Sequence, residues 1–162
     1  MAGLINYFEK KADWEGTAIE KLTCSYDIPI NKRIFALGRC ALTDEVLTAR
    51  VWSFEAYPED KASLSWTIKN DKGEEMKATA YRDGTRELFI NGENKEDELS
   101  SYLVTGEDLQ GEYWGSVFSL PLDIVLTFLG KETLEKGDKI YMEFKKEGEN
   151  LSSFADYFKI YR

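Results

Sequence analysis

The stretch from Ala62 to Asn91 decides the fold class of this chain; it reads ASLSWTIKNDKGEEMKATAYRDGTRELFIN. Its first eight residues alternate between polar and apolar side chains, and this period of two predicts a β-strand with one buried and one solvent-facing side. Residues 75–82 and 86–91 are also strand-like, and the segments between the three strands contain Asp-Lys-Gly and Asp-Gly, which are typical of tight turns. Parallel strands need a long crossover, so two short turns predict an antiparallel meander.

Strand patterns continue on both sides of this meander. Further strands are predicted at residues 34–42, 46–57, 113–120, 139–145 and 154–161. A short helix is predicted over Leu122 to Leu129, because Pro121 suits the start of a helix and Gly130 suits its end. We therefore expect an all-β fold of one domain over residues 1–162. Its predicted architecture is an antiparallel β-sandwich, immunoglobulin-like or jelly-roll-like, of about eight strands with one short helix.

Residues 91–112 differ from the rest of the chain in charge. They contain seven acidic residues and a single basic one, Lys95. Apart from Leu99 to Val104, they show no clear strand or helix pattern. We interpret this segment as a long acidic surface loop with one short strand, and loops of this length in compact domains are often functional.

The composition excludes several classes of function. The chain has 162 residues, 21 of them basic and 30 acidic, with no histidine and a net charge of -9. Without histidine, Ser-His-Asp and Cys-His catalysis and His-ligated zinc or haem are excluded. The acidic balance argues against nucleic acid or an anionic membrane as a partner.

Targeting signals and cysteine usage indicate a compartment. The sequence shows no signal peptide and no apolar run long enough to span a membrane, so we expect a cytoplasmic protein, or an extracellular one if a leader is missing. Cys24 and Cys40 are far apart and form no Cys-x-x-Cys motif, and we expect both to be reduced thiols.

Four stretches together resemble family 9 carbohydrate-binding modules and their relatives, a β-sandwich superfamily that includes the DOMON-like domains. They are Leu47–Glu55, with Pro58 shortly after; Leu88–Gly92; Tyr113–Leu122; and Lys136–Phe144. The order and spacing agree over residues 30–150. The resemblance implies a sandwich that binds sugar between paired aromatic rings and often holds calcium. Residues 152–158 depart from the family pattern because they contain no Trp or His. The paired rings have no clear counterpart here, so we carry over no sugar-contacting residue.

The residues themselves provide what sugar recognition needs, namely flat aromatic faces and groups that bond hydroxyls. The alternative for each is ordinary packing. We expect Trp66 and Trp52 to lie in the core and Trp14 to cover the sandwich as a lid. The predicted ligand-binding residues are Tyr57, Tyr81, Arg82, Arg86, Tyr102, Tyr113 and Trp114.

The acidic segment is also a candidate calcium site. Glu93, Glu96 and Asp97 offer the oxygen ligands that Ca²⁺ prefers, although their spacing does not fit an EF-hand. The alternative is a solvated acidic loop. We expect no other cofactor.

These observations favour a non-catalytic carbohydrate-binding protein that stacks a mono- or oligosaccharide on aromatic rings. One alternative is a protein–protein interaction domain that uses a sheet face or edge of the same scaffold. A less favoured alternative is a glycoside-acting enzyme, with Glu55, Asp123 and Glu143 as candidate acids, but no motif pairs any two of them. The identity of the sugar and the oligomeric state stay open.

Overall fold

The structure is a computed structural model that describes residues 3–24, 35–55, 58, 61–109, 111–148 and 151–161. Strands and one α-helix account for most of them. In chain order the elements are β1 (Gly3–Tyr7), β2 (Glu20–Cys24), β3 (Phe35–Leu42), β4 (Val46–Phe54), β5 (Ser63–Lys69), β6 (Glu75–Tyr81), β7 (Arg86–Ile90), β8 (Glu93–Asn94), β9 (Ser100–Asp108), β10 (Gly111–Pro121), α1 (Leu122–Leu129), β11 (Lys139–Glu147) and β12 (Ser152–Tyr161).

The strands form two layers that are joined along one side. One layer has the order β8-β7-β6-β5-β11-β12, and the other has the order β3-β4-β10-β9. Strand β1 lies between β12 and β3 and runs parallel to both, while β2 pairs antiparallel with the same two strands. The predicted sandwich is confirmed, but it has twelve described strands instead of about eight, and it is not wholly antiparallel. The parallel pairs join segments far apart in sequence, which turn signals cannot reveal.

The meander that decided the fold class is confirmed. Strands β5, β6 and β7 pair antiparallel, and Gly73 and Gly84 adopt the positive φ that their turns require. The solvent-facing side predicted for β5 is wrong, because Ser63, Ser65 and Thr67 are all buried. Strand β5 is central, and longer side chains on its neighbours β6 and β11 flank these small residues and cover them.

The acidic segment was predicted as a long loop with one short strand; the strand is confirmed within β9, but the long loop is wrong. Residues 91–112 form β8, a 3-10 turn at Glu96–Glu98, the nine-residue strand β9 and the start of β10. Strand β9 pairs along its length with β10 and is the edge of its layer among the described strands. An edge strand carries a weak apolar pattern, because much of it faces water. The acidic residues of this segment weaken the apolar pattern further.

The core lies between the two layers. Trp66 is buried, as predicted, and its Nε1–H donates to Sδ of Met142 at 3.3 Å. Phe144 of β11 packs directly on Gly38 of β3, where a Cβ would overlap the ring.

The predicted helix is confirmed as α1, which begins after Pro121 and ends at Gly130, a residue in the left-handed conformation. Among the described helices, we find none with the length and apolar character needed to cross a membrane.

Both cysteines are reduced thiols, as predicted, and Cys24 Sγ lies 2.9 Å from Oγ of Ser152. Cys40 is fully buried, and this burial raises the pKa of its thiol. Because the thiolate is the reactive form, we expect Cys40 of the folded protein to resist Ellman's reagent and to react at once in denaturant. A Cys24→Ser variant isolates this reaction. Rapid native labelling of that variant would contradict the buried position of Cys40.

Candidate functional site

Two features meet at one end of the sandwich: an aromatic platform on an outer sheet face, and a polar cleft between the layers. The aromatic platform consists of Trp52 on β4 and Tyr113 on β10. Both side chains point away from the core, because β4 and β10 turn Ser53 and Trp114, their neighbours in sequence, inward. The prediction that Trp52 lies in the core is therefore wrong; its ring is half-buried on the outside of the sheet.

Each ring of the aromatic platform lies on a glycine of the next strand. Trp52 is opposite Gly115, and Tyr113 is opposite Gly106. A Cβ at either glycine would overlap the ring above it. The two rings are nearly parallel, at 16°, with centroids 6.0 Å apart. The two rings are therefore a stacked pair, and each leans by one strand in the same direction.

Arg50 and Trp14 border the platform. The Arg50 guanidinium carbon lies 5.4 Å from the centroid of Trp52 and 4.5 Å from that of Trp14. Burial lowers the pKa of Arg50, which titrates so far above neutral pH that the side chain stays charged. The Trp14 carbonyl accepts from Arg39 Nη1 at 2.6 Å, so Trp14 covers part of this face, in agreement with the predicted lid.

The polar cleft opens beside Tyr113 and has a volume of about 420 Å³. It lies where β4 ends, where β6 turns towards β7, and where β9 turns into β10. Its charged groups are three carboxylates and one guanidinium, from Glu55, Glu107, Glu112 and Arg82. Tyr113 lines the cleft and also belongs to the aromatic platform, so the two features form one continuous surface.

Glu55 is held firmly at the base of the cleft. Its Oε2 atom accepts from Trp114 Nε1 at 3.0 Å and from the Ser53 hydroxyl, and it lies 3.4 Å from Nζ of Lys146. The Lys146 side chain is 1% exposed and that of Glu55 is 13% exposed. Because these donors meet the same oxygen, the other oxygen, Oε1, keeps its capacity to accept hydrogen bonds from a ligand.

Arg82 contributes an unused donor. Its Nε atom is buried and finds no hydrogen-bond acceptor within the part of the chain that the structure describes. A buried donor without an acceptor costs about 1–3 kcal/mol, so an acceptor from a ligand would relieve this penalty. The cleft thus offers both an acceptor, on Glu55, and a donor, on Arg82.

The structure brings three of the predicted site residues to the cleft: Arg82, Tyr113 and Trp114. The Trp114 ring is 1% exposed, so it supports Glu55 and presents no open face. Tyr102 is 56% exposed on β9, on the same outer face as the aromatic platform. Tyr57 lies outside the described residues.

The other two predicted residues are engaged elsewhere. The Tyr81 hydroxyl donates to Glu87 at 3.3 Å, and burial, together with the charge of Glu87, raises the pKa of Tyr81. Arg86 Nη1 donates to the carbonyl of Ser101 at 3.2 Å. Sequence reasoning missed Trp52 as a surface ring and Glu55 as a residue that lines the cleft. Alternation within β4 indicates two faces, but only the packing reveals which of them is covered.

The predicted calcium ligands are not gathered into a site. Glu93 on β8 pairs with Lys95 at 3.2 Å, and Glu96 and Asp97 lie in the following 3-10 turn, where both are exposed. Across the described ranges, no three acidic or cysteine side chains are grouped so that they could hold a metal ion.

The three candidate acids for glycoside chemistry lie on separate elements. Glu55 follows β4 and is paired with Lys146, and Glu143 on β11 is paired with Lys145 at 3.8 Å. Asp123 lies in the first turn of α1 and accepts from the backbone N–H of Ile124. Within the described residues, no two of these three carboxylates contact each other.

Comparison with known proteins identifies the fold. No family model matches the chain, and no curated protein matches it by sequence. A family 9 carbohydrate-binding module from Caldicellulosiruptor kristjanssonii, solved with cellotriose, superimposes with a TM-score of 0.69 and 8% identity, covering 99% of this chain and 93% of the module. The same kind of module solved with glucose gives a TM-score of 0.64 and 7% identity, covering 96% and 94%.

A candidate carbohydrate-binding protein from Bacteroides uniformis also superimposes, with a TM-score of 0.64, 13% identity and 99% coverage of both chains. At these identities the comparison establishes the fold, which is the fold of family 9 carbohydrate-binding modules. The resemblance seen in the sequence is thereby confirmed at the level of architecture.

Proposed function

We propose that this protein is a non-catalytic carbohydrate-binding protein. In this proposal a sugar ring stacks on the aromatic platform, and its hydroxyl groups reach into the polar cleft. The observation that carries the proposal is the platform itself: Trp52 and Tyr113 lie on glycines, close together, nearly parallel and on the outside of the sheet. The apolar face of a pyranose needs such a flat aromatic surface.

The chemistry of the polar cleft supports the same ligand class. A sugar hydroxyl both donates and accepts hydrogen bonds. It could therefore donate to Oε1 of Glu55 and accept from the guanidinium of Arg82. Glu107 and Glu112 add further acceptors at the rim. The structural neighbours solved with cellotriose and glucose make these two sugars the first ligands to test.

Titration calorimetry with glucose and cellotriose tests the proposal. We expect Trp52→Ala and Tyr113→Ala each to weaken binding by about tenfold or more, equivalent to about 1.4 kcal/mol, because each removes half of the stacking surface. Phe89→Ala is a matched control, since Phe89 is an exposed aromatic residue on β7 of the other layer.

Two outcomes would contradict the proposal. One is equal binding by the platform variants and the Phe89→Ala control, which would place the sugar elsewhere. The other is release of reducing sugar during long incubation with cellotriose, which would show that the protein is catalytic.

The free edge of β9 favours a second candidate function, pairing with another protein. This nine-residue strand pairs with β10 and with no other described strand, although the side chain of Arg86 on β7 donates to its Ser101 carbonyl. Edge strands of this length are templates for strand addition. If the protein uses this edge, replacing Val104 with proline should abolish association measured by light scattering.

A further inference from the structure

A second pocket lies at the opposite end of strand β5 from the polar cleft. It has a volume of about 320 Å³ and lies between the β5–β6 turn, the end of α1 and the start of β11. We call it the lysine pocket, after three lysines that line it together with two tyrosines: Lys69, Lys131, Lys139, Tyr141 and Tyr157. Six residues of β5, or about 20 Å, separate it from the turn that carries Arg82.

The lining of the lysine pocket is basic, although the chain as a whole is acidic. The whole chain carries -9, yet three basic side chains line this pocket with a single carboxylate, that of Asp71. A fourth lysine, Lys159 on β12, lies directly opposite Lys139 on β11. Like charges directly opposite across a strand pair are destabilising, so this pair calls for a stabilising counter-charge.

Two of the four lysines already have partners. Lys69 pairs with Glu75 at 3.6 Å, and Lys131 pairs with Asp138 at 3.7 Å. Lys139 and Lys159 make no ion pair with any residue that the structure describes, and both are exposed. Lys139, which lines the pocket, and Lys159, its register partner on β12, are therefore two neighbouring lysines whose charge no described residue neutralises.

Two tyrosines, Tyr141 and Tyr157, form an aromatic wall of the lysine pocket. Tyr141 and Tyr157 pack edge to face, with centroids 5.3 Å apart and planes at 78°, and Tyr157 is 54% exposed. The Lys69 ammonium lies 5.6 Å from the Tyr141 centroid, which keeps a positive charge against this wall. A ligand that fills the pocket would combine a ring with a doubly charged anion.

We propose that the lysine pocket binds a phosphate monoester of a six-membered ring compound, with the phosphate between Lys139 and Lys159 and the ring against Tyr157. A phosphate dianion matches two unneutralised ammonium groups, whereas a sulfate monoester, with one charge, leaves one of them uncompensated. This proposal does not depend on the aromatic platform, which lies on the other layer.

Nuclear magnetic resonance titration of the full chain with phenyl phosphate, glucose 6-phosphate, phenyl sulfate and inorganic phosphate tests this site. We expect saturable shifts at the backbone amides of Lys139, Tyr141 and Tyr157 with both phosphate esters, and weaker binding of phenyl sulfate and inorganic phosphate. Binding should also weaken below about pH 6, where the phosphate monoester gains a proton. Tighter binding of one ester would identify the ring as aromatic or saccharide.

Substitutions separate a built site from general charge attraction. Lys139→Gln and Lys159→Gln should each weaken phenyl phosphate binding by about tenfold, and Tyr157→Leu should lower the preference for phenyl phosphate over inorganic phosphate. Lys21→Gln removes the same charge from β2, away from the pocket, and should have no effect. The proposal is overturned if no ester gives saturable shifts, or if Lys21→Gln weakens binding as much as Lys139→Gln.

Discussion

Replacing Lys146 with alanine is expected to lower the free energy of unfolding by about 3–5 kcal/mol. The Lys146 ammonium is 1% exposed and lies 3.4 Å from the Glu55 carboxylate, which is itself 13% exposed. Removing the lysine leaves that carboxylate in a largely dry environment with only neutral donors, from Trp114 and Ser53. Urea unfolding, followed by circular dichroism, measures the loss.

Lys145→Ala is the matched control for this experiment. Lys145 immediately precedes Lys146 on β11, and its side chain is 27% exposed. It pairs with Glu143 and Glu147 on the outer face of the sheet. We expect it to cost no more than about 1 kcal/mol, because exposed ion pairs contribute little. A double variant, Lys146→Met with Glu55→Gln, should recover much of the stability, since it leaves no unpaired charge. If Lys146→Ala costs no more than Lys145→Ala, the buried ion pair is not important for stability.

Phe144→Ala is expected to destabilise the fold by about 3–5 kcal/mol. The Phe144 ring is fully buried, packs edge to face on Phe158 at 5.5 Å, and lies on the backbone of Gly38 in the opposite layer. Because Gly38 has no side chain that could fill the vacated space, the cavity should persist. Thermal and urea unfolding of the variant measure this cost.

The contact between Phe144 and Gly38 can be tested from the other side as well. Gly38→Ala should cost about 1–3 kcal/mol in the natural background, because its methyl group overlaps the Phe144 ring. In a Phe144→Leu background the same methyl group enters a space that is no longer full, so its cost should shrink. A double-mutant cycle yields this coupling energy, and strict additivity would show that the two layers do not interlock here.

Sequence reasoning predicted the elements whose signals are local. The β5–β7 meander follows from alternation and from glycine turns, and α1 follows from Pro121 and Gly130. It also placed Arg82 and Tyr113 among the candidate binding residues, and both line the polar cleft. Strand β9 was predicted only as a short strand near Leu99 to Val104, because its acidic residues and its place at the sheet edge weaken the apolar pattern.

The sequence by itself determined that this is an all-β chain, that its strands meet largely through short antiparallel turns, and that histidine-dependent chemistry is excluded. These properties depend on composition and on neighbours within a few residues. Only the tertiary structure decided that β1 runs parallel to β3 and β12, that Trp52 lies on the surface over Gly115, and that Lys146 reaches Glu55. The residues in each of these contacts lie 30 or more positions apart in the chain, and only packing of the two layers brings them together.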